Sequence, residues 1–119
     1  MFVLQAAPEV VPFAKTGGLA DVAGTLPKYL KKNGVDCAVI LPLYKKVKET
    51  TAGLKSTGVT INVPVGEHTL TGILWEATIP GPDIPAYFIQ RDEFFHRDGL
   101  YVTGDKDYWD NAQRFIFYS

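Results

Sequence analysis

Two apolar runs, Phe2 to Ala7 and Val35 to Leu41, bracket a helical pattern, and that bracketing constrains the fold more than any other feature of the chain. The first run is closed by Pro8, and the second reads "VDCAVILP". Short continuous apolar runs of this kind suit strands buried in a parallel sheet. Between them, apolar side chains fall at Leu19, Val22, Ala23, Leu26 and Leu30, the i, i+3, i+4, i+7, i+11 spacing of one face of an amphipathic helix. Strand, helix and strand together span roughly forty residues, enough for a right-handed parallel crossover.

The helix carries its own punctuation. Pro27 removes a backbone donor inside the pattern, at about 3 kcal/mol in an ordinary helix interior, so a kink or break is expected near Gly24. Lys28, Lys31 and Lys32 complement the dipole in the last turns, and Asn33-Gly34 provides a stop.

Beyond Lys48 the pattern changes. "GVTINVPV", "HTLTGILWEATI" and "IPAYFIQ" are β-branched and aromatic runs separated by turn residues, and "PGPDIP" predicts a hairpin with a longer loop. Trp109 to Tyr118 returns to helical spacing through Ala112, Phe115 and Ile116, with Asp110 in the first turn. The last residues, "RFIFYS", lie inside that apolar pattern without a cap, as expected of a piece of a larger protein.

With 119 residues, one domain is expected, burying roughly two thirds of the surface its unfolded chain exposes. Twelve Lys and Arg against thirteen Asp and Glu give a net charge of -1, so nothing draws the chain generally to nucleic acid or an anionic membrane. Anion recognition would have to be local. No apolar run approaches the roughly 20 residues of a membrane span, and a cytoplasmic setting is expected. Cys37 has no partner for a disulfide and reads as a buried small hydrophobe. His68 and His96 have no companions with metal-ligand spacing, so no metal is expected.

Such a local anion site is offered by "PFAKTGGLADVAG", Pro12 to Gly24. Backbone NH groups in a first helical turn lack internal partners, and the dipole places about half a positive charge there. Gly17 and Gly18 admit a ligand close to the main chain, and Lys15 offers a mobile ammonium for a phosphate. A Gly-Gly pair before a helix is equally an ordinary turn. The Walker loop is excluded, because here the lysine precedes the glycines, and so is the dinucleotide fingerprint, whose acidic residue is replaced by "ILPLYKK".

The wider pattern, "PEVVPFAKTGGLADVAGTLPKYLKKNGVDCAVILPLY", resembles the N-terminus of bacterial glycogen synthases and plant starch synthases, and the similarity resumes at "FFHRDGLYVTGDKDYWDNAQRF". It is weaker between about Lys48 and Thr78. The resemblance implies an α/β fold, a Rossmann-like half of a GT-B glucosyltransferase with a strand-rich insertion, truncated within its N-terminal, acceptor-side domain. It implies retaining transfer of glucose from ADP-glucose to the non-reducing end of an α-1,4-glucan, without metal or cofactor. The catalytic residues and most nucleotide contacts would lie in the later part of such an enzyme, leaving this piece inactive alone and dependent on the C-terminal domain.

By the same similarity, Lys15, Gly17 and Gly18 would lie at the donor diphosphate and glucose. Asp21 would face the cleft, although a first-turn carboxylate also suits the helix dipole. Tyr101 would sit on the glucan side, with plain packing as the alternative. Asp110, Asn111 and Arg114 match the family's "D-N-x-x-R-F", while Asp110 and Arg114 are also spaced to pair on a helix surface. Two other readings of the chain remain: a non-catalytic module binding glucan or a phosphorylated ligand, and a different nucleotide-sugar enzyme of related fold.

Overall fold

The computed structural model describes residues 1–119. Its order is β1 (Phe2–Ala6), α1 (Gly18–Lys32), β2 (Asp36–Pro42), α2 (Lys45–Thr50), β3 (Lys55–Val65), β4 (His68–Ile79), β5 (Ile84–Gln90), α3 (Asp92–Phe95), β6 (Val102–Thr103), β7 (Lys106–Asp107) and α4 (Asn111–Tyr118). Five strands form one sheet in the order β1-β2-β5-β4-β3, and β6 and β7 form a small separate ribbon. β1, β2 and β5 run parallel, whereas β4 is antiparallel to both β5 and β3. The chain is thus mixed α/β, a parallel crossover unit extended by a strand-rich meander.

The first crossover follows the sequence pattern, but β1 does not. Phe2 and Leu4 are exposed, because β1 is an edge strand with β2 as its sole neighbour. The central strand β2 is the buried one, with Val39 and Leu41 fully enclosed. Cys37 is buried too, its thiol donating to the Pro27 carbonyl.

Helix α1 differs from expectation in two ways. It runs unbroken through Pro27. A proline at 27 cannot donate to the carbonyl of Ala23, and Gln5 Nε2 of β1 fills that role at 2.7 Å. The orphaned acceptor is therefore satisfied from the sheet, and no break is needed. Second, the buried face is Ala20, Ala23, Gly24 and Pro27, while Leu19, Val22 and Leu26 of the apolar stripe are exposed. Small residues let the helix approach closely: a Cβ on Gly24 would stand 2.5 Å from the Val11 carbonyl oxygen. Val11 N donates in turn to the Ala20 carbonyl, tying the loop after β1 to the helix.

The core is a cluster of buried residues centred on Val39, Leu41, Phe88, Phe95 and Phe117. Each large apolar side chain so enclosed contributes about 1.5–3 kcal/mol. Phe13, from the loop after β1, packs edge-on against Phe88 of β5, and Tyr44 packs edge-on against Phe95. These contacts anchor the loops that leave the C-terminal ends of β1 and β2. In α4 the inward residues are Arg114 and Phe117; Ala112 and Ile116 are exposed and Phe115 is half-buried, so the helix is rotated from the expected face. Asp110 stands just before this helix rather than in its first turn.

Candidate functional site

The loop after β1 leads into α1 through Lys15, Thr16 and Gly17, at the C-terminal ends of the parallel strands, where open α/β sheets place ligands. Gly17 and Gly18 have open space where a Cβ would stand, and neither has a positive φ. The chain's own packing therefore does not require glycine at either position, in contrast to Gly24. Helix α1 has no side-chain cap at its N-terminus.

Lys15 Nζ lies 3.0 and 2.9 Å from the two carboxylate oxygens of Asp21, with both side chains about half exposed (54% and 56%). An ion pair this wet is worth roughly 0–1 kcal/mol. It orients the ammonium beside the open glycine turn and yields readily to a competing anion.

The sequence patterns assign no role to Glu9, yet it is the most heavily bonded side chain of the site. Only 3% exposed, its Oε1 accepts from Thr16 N (3.3 Å) and Gly17 N (3.1 Å), and its Oε2 from Thr16 Oγ1 (2.7 Å) and Tyr101 Oη (2.6 Å). Burial alone would raise its pKa; the hydrogen bonds outweigh burial and hold the carboxyl below its ordinary range. The Gly17 amide is thereby engaged inside the protein, so any approach by a ligand falls to the Gly18 end of the turn. The available signal was the glutamate in "E-x-x-P-x-x-K-T-G-G", a charged residue in an otherwise apolar stretch.

Tyr101 is half-buried, with its ring 5.6 Å from that of Phe115. Burial, then the Glu9 carboxylate, pushes its phenol well above the ordinary value, so it remains a donor. It stands between two clefts. One, about 600 Å³, is shared with Lys15, Thr16, Tyr44 and Lys46. The other, about 650 Å³, is shared with Ala7, Pro8, Asn111 and Tyr118.

Asp110, Asn111 and Arg114 lie together but not as the i, i+4 spacing suggests. Asp110 is bound bidentately by Arg97, at 2.6 and 2.7 Å, and that guanidinium, despite burial, holds the carboxyl below its usual range. Arg114, fully buried, instead donates from Nε to the Phe94 carbonyl and from Nη1 to Asn111 Oδ1, both at 2.6 Å. Asn111 Nδ2 then reaches the Tyr101 carbonyl at 2.9 Å. All three side chains brace the segment from Phe94 to Tyr101. Of the group, only Asn111 lines a cleft.

No cluster of three or more His, Cys, Asp or Glu side chains is arranged to hold a metal, and His68 and His96 are exposed. No helix is long and apolar enough to cross a membrane.

Comparison with known proteins adds to this geometry. A family described as the starch synthase catalytic domain matches residues 2–119. The chain is 48% identical to a glycogen synthase of Syntrophotalea carbinolica, over 99% of its own length and 24% of the relative's. It is 45% identical to glycogen synthase 1 of Geobacter metallireducens, over 98% and 24%. Its fold matches the catalytic domain of starch synthase IV from Arabidopsis thaliana, solved bound to ADP and acarbose, with TM-score 0.80 and 27% identity, covering 98% of this chain and 23% of that one. The chain thus spans about a quarter of these relatives' length, and it belongs to the starch synthase catalytic domain family.

Proposed function

We propose that the chain is the N-terminal, acceptor-side portion of a retaining glucosyltransferase that moves glucose from ADP-glucose to the non-reducing end of an α-1,4-glucan. The observation that carries the reading is the open space at Gly17 and Gly18 beside a weakly held Lys15, in a chain that belongs to this family. The leaving nucleoside diphosphate gains negative charge in the transition state, and an ammonium already poised in the cleft stabilises it. Lys15 serves the phosphates, Gly18 lets the donor approach the main chain, and Asp21 holds the lysine until the donor arrives. Tyr101, which lines both clefts, serves the glucan side. Asp110, Asn111 and Arg114 serve indirectly, by bracing the Tyr101 segment.

The ligands named for the Arabidopsis structure, ADP and acarbose, support a nucleotide sugar and a glucan as the ligands here. No residue of this chain is proposed to take part in bond making. The groups that complete the donor site are proposed to come from the C-terminal domain of the same protein.

The test is incubation with ADP-glucose and glycogen. The 119-residue chain alone is expected to transfer no detectable glucose, and the chain extended to the length of its relatives is expected to elongate the glucan. Failure of the extended protein would overturn the function, and robust elongation by the short chain would overturn its division of labour.

A further inference from the structure

We propose that Glu9 is a positioning residue which sets the donor loop and the glucan-side tyrosine in register with each other, an inference that rests on the function proposed above. Its two carboxylate oxygens divide the work. Oε1 accepts the Thr16 and Gly17 amides, fixing the main chain that presents Lys15 and opens the turn at Gly18. Oε2 takes the hydroxyls of Thr16 and Tyr101, and Tyr101 lies 92 residues along the chain.

The far side of the clamp is itself anchored. The Tyr101 carbonyl is held by Asn111, and Asn111 by the fully buried Arg114. A continuous polar chain therefore runs from the core, through Asn111, Tyr101 and Glu9, to the glycine turn. Glu9 is the one member of it that touches both segments. With 3% exposure and four donors already bound, it is placed to hold other groups and not to contact a ligand itself. A displacement of about 1 Å in a positioning group can cost a hundredfold in rate, which is the scale on which such a clamp matters.

Single-bond variants separate the two arms. In the full-length protein, assayed with ADP-glucose and glycogen, Tyr101→Phe keeps the ring but loses its bond to Glu9. It is expected to raise KM for glucan by about tenfold and leave KM for ADP-glucose within about twofold. Thr16→Val removes the other hydroxyl and is expected to do the reverse. Glu9→Ala is expected to raise both constants. Glu9→Gln is expected to restore most of the loss, because its amide oxygen still accepts the two backbone NH groups while its NH2 donates to hydroxyls that turn to accept.

If Tyr101→Phe and Thr16→Val shift the same constant, or if Glu9→Ala shifts neither, the proposal fails. It fails also if Glu9→Gln is as damaging as Glu9→Ala, since the charge itself would then be what matters. Should Glu9→Ala not fold, the two single-bond variants decide the question alone. Amide exchange in the 119-residue chain keeps the inference distinct from the functional reading. Thr16→Val should speed exchange at Thr16 and Gly17 by several-fold at least, by loosening the carboxylate, whereas Tyr101→Phe, which leaves Oε1 on both amides, should change it by less than about twofold. Unchanged exchange in Thr16→Val would overturn the clamp, whereas an unmodified full-length protein that elongates no glucan would overturn only the function.

Discussion

The Tyr101 hydroxyl donates to Glu9 across 2.6 Å, closing a contact between residues 92 positions apart. With Asp110, Glu9 also determines how the fold responds to acid. Both carboxyls have folded-state pKa values below the ordinary range, Glu9 because hydrogen bonds overcome its burial and Asp110 chiefly because of Arg97. The folded state therefore binds these protons less readily than the unfolded chain. Their contribution is complete above the ordinary carboxylate values, near pH 4, and is lost as pH falls through the lower folded values. Glu9→Gln and Asp110→Asn should lower stability at neutral pH and flatten the acid limb of a circular dichroism titration. An acid limb as steep as the unmodified chain's would contradict this.

Two ion pairs of similar length should differ greatly in worth. Arg97 and Asp110 are 19% and 3% exposed, so Arg97→Ala strands a buried carboxylate and should cost about 3 kcal/mol in chemical denaturation. Lys15→Ala breaks a wet pair and should cost less than about 1 kcal/mol. Its effect should appear instead in titration calorimetry of the full-length protein with ADP-glucose, as weakened binding. A large loss of stability with unaltered binding would make Lys15 a structural residue.

The glycines separate in the same manner. Gly24→Ala forces a Cβ to within 2.5 Å of the Val11 carbonyl oxygen and should destabilise by about 1–3 kcal/mol, despite alanine's better helix propensity. Gly18→Ala meets nothing and should leave the melting temperature unchanged or slightly raised. It should nevertheless weaken ADP-glucose binding by about tenfold or more if the donor approaches the main chain there. Unimpaired binding in Gly18→Ala would remove the donor from this turn.

The exposed stripe on α1 concerns association rather than folding. Leu19, Val22 and Leu26 are 52%, 63% and 46% exposed on one face, with Tyr29 beside them at 60%. Contiguous apolar surface of this kind favours self-association. Val22→Lys with Leu26→Gln should shift sedimentation of the 119-residue chain toward monomer while changing stability by no more than about 0.5 kcal/mol per site. Sedimentation that stays concentration-independent in both forms would show that the stripe is inert.

That stripe also marks where sequence reasoning was misled. Helical spacing correctly locates α1 but points to the large apolar residues as its inner face, whereas the buried face is Ala20, Ala23 and Gly24, small residues that permit a closer approach to the rest of the fold. Strands β4 and β5 were legible to the residue because alternating β-branched and aromatic runs ended at turn residues. The unbroken passage of α1 through Pro27 was not, since the donor that replaces the missing NH comes from Gln5, 18 residues before Ala23. Asp110 illustrates the same limit: its true partner, Arg97, lies outside the helix, where no periodicity points. Glu9 was visible within a motif, yet its role depends on Tyr101 arriving from the far end of the chain.

The sheet's mixed strand directions carry a kinetic consequence. β4 reaches β5 through the short turn Pro80 to Asp83, and β3 reaches β4 across Gly66 and Glu67, so these pairings close small loops. β2 meets β5 only after more than forty intervening residues, and β1 meets β2 only around α1. Local pairings of this kind form early, and distant ones wait. Substitutions in the β4-β5 hairpin should slow folding, whereas those at Glu9 should chiefly speed unfolding, a difference that stopped-flow chevrons resolve. The meander is then the template, and the junction of Glu9 with Tyr101 is the last part to assemble and the first to come apart.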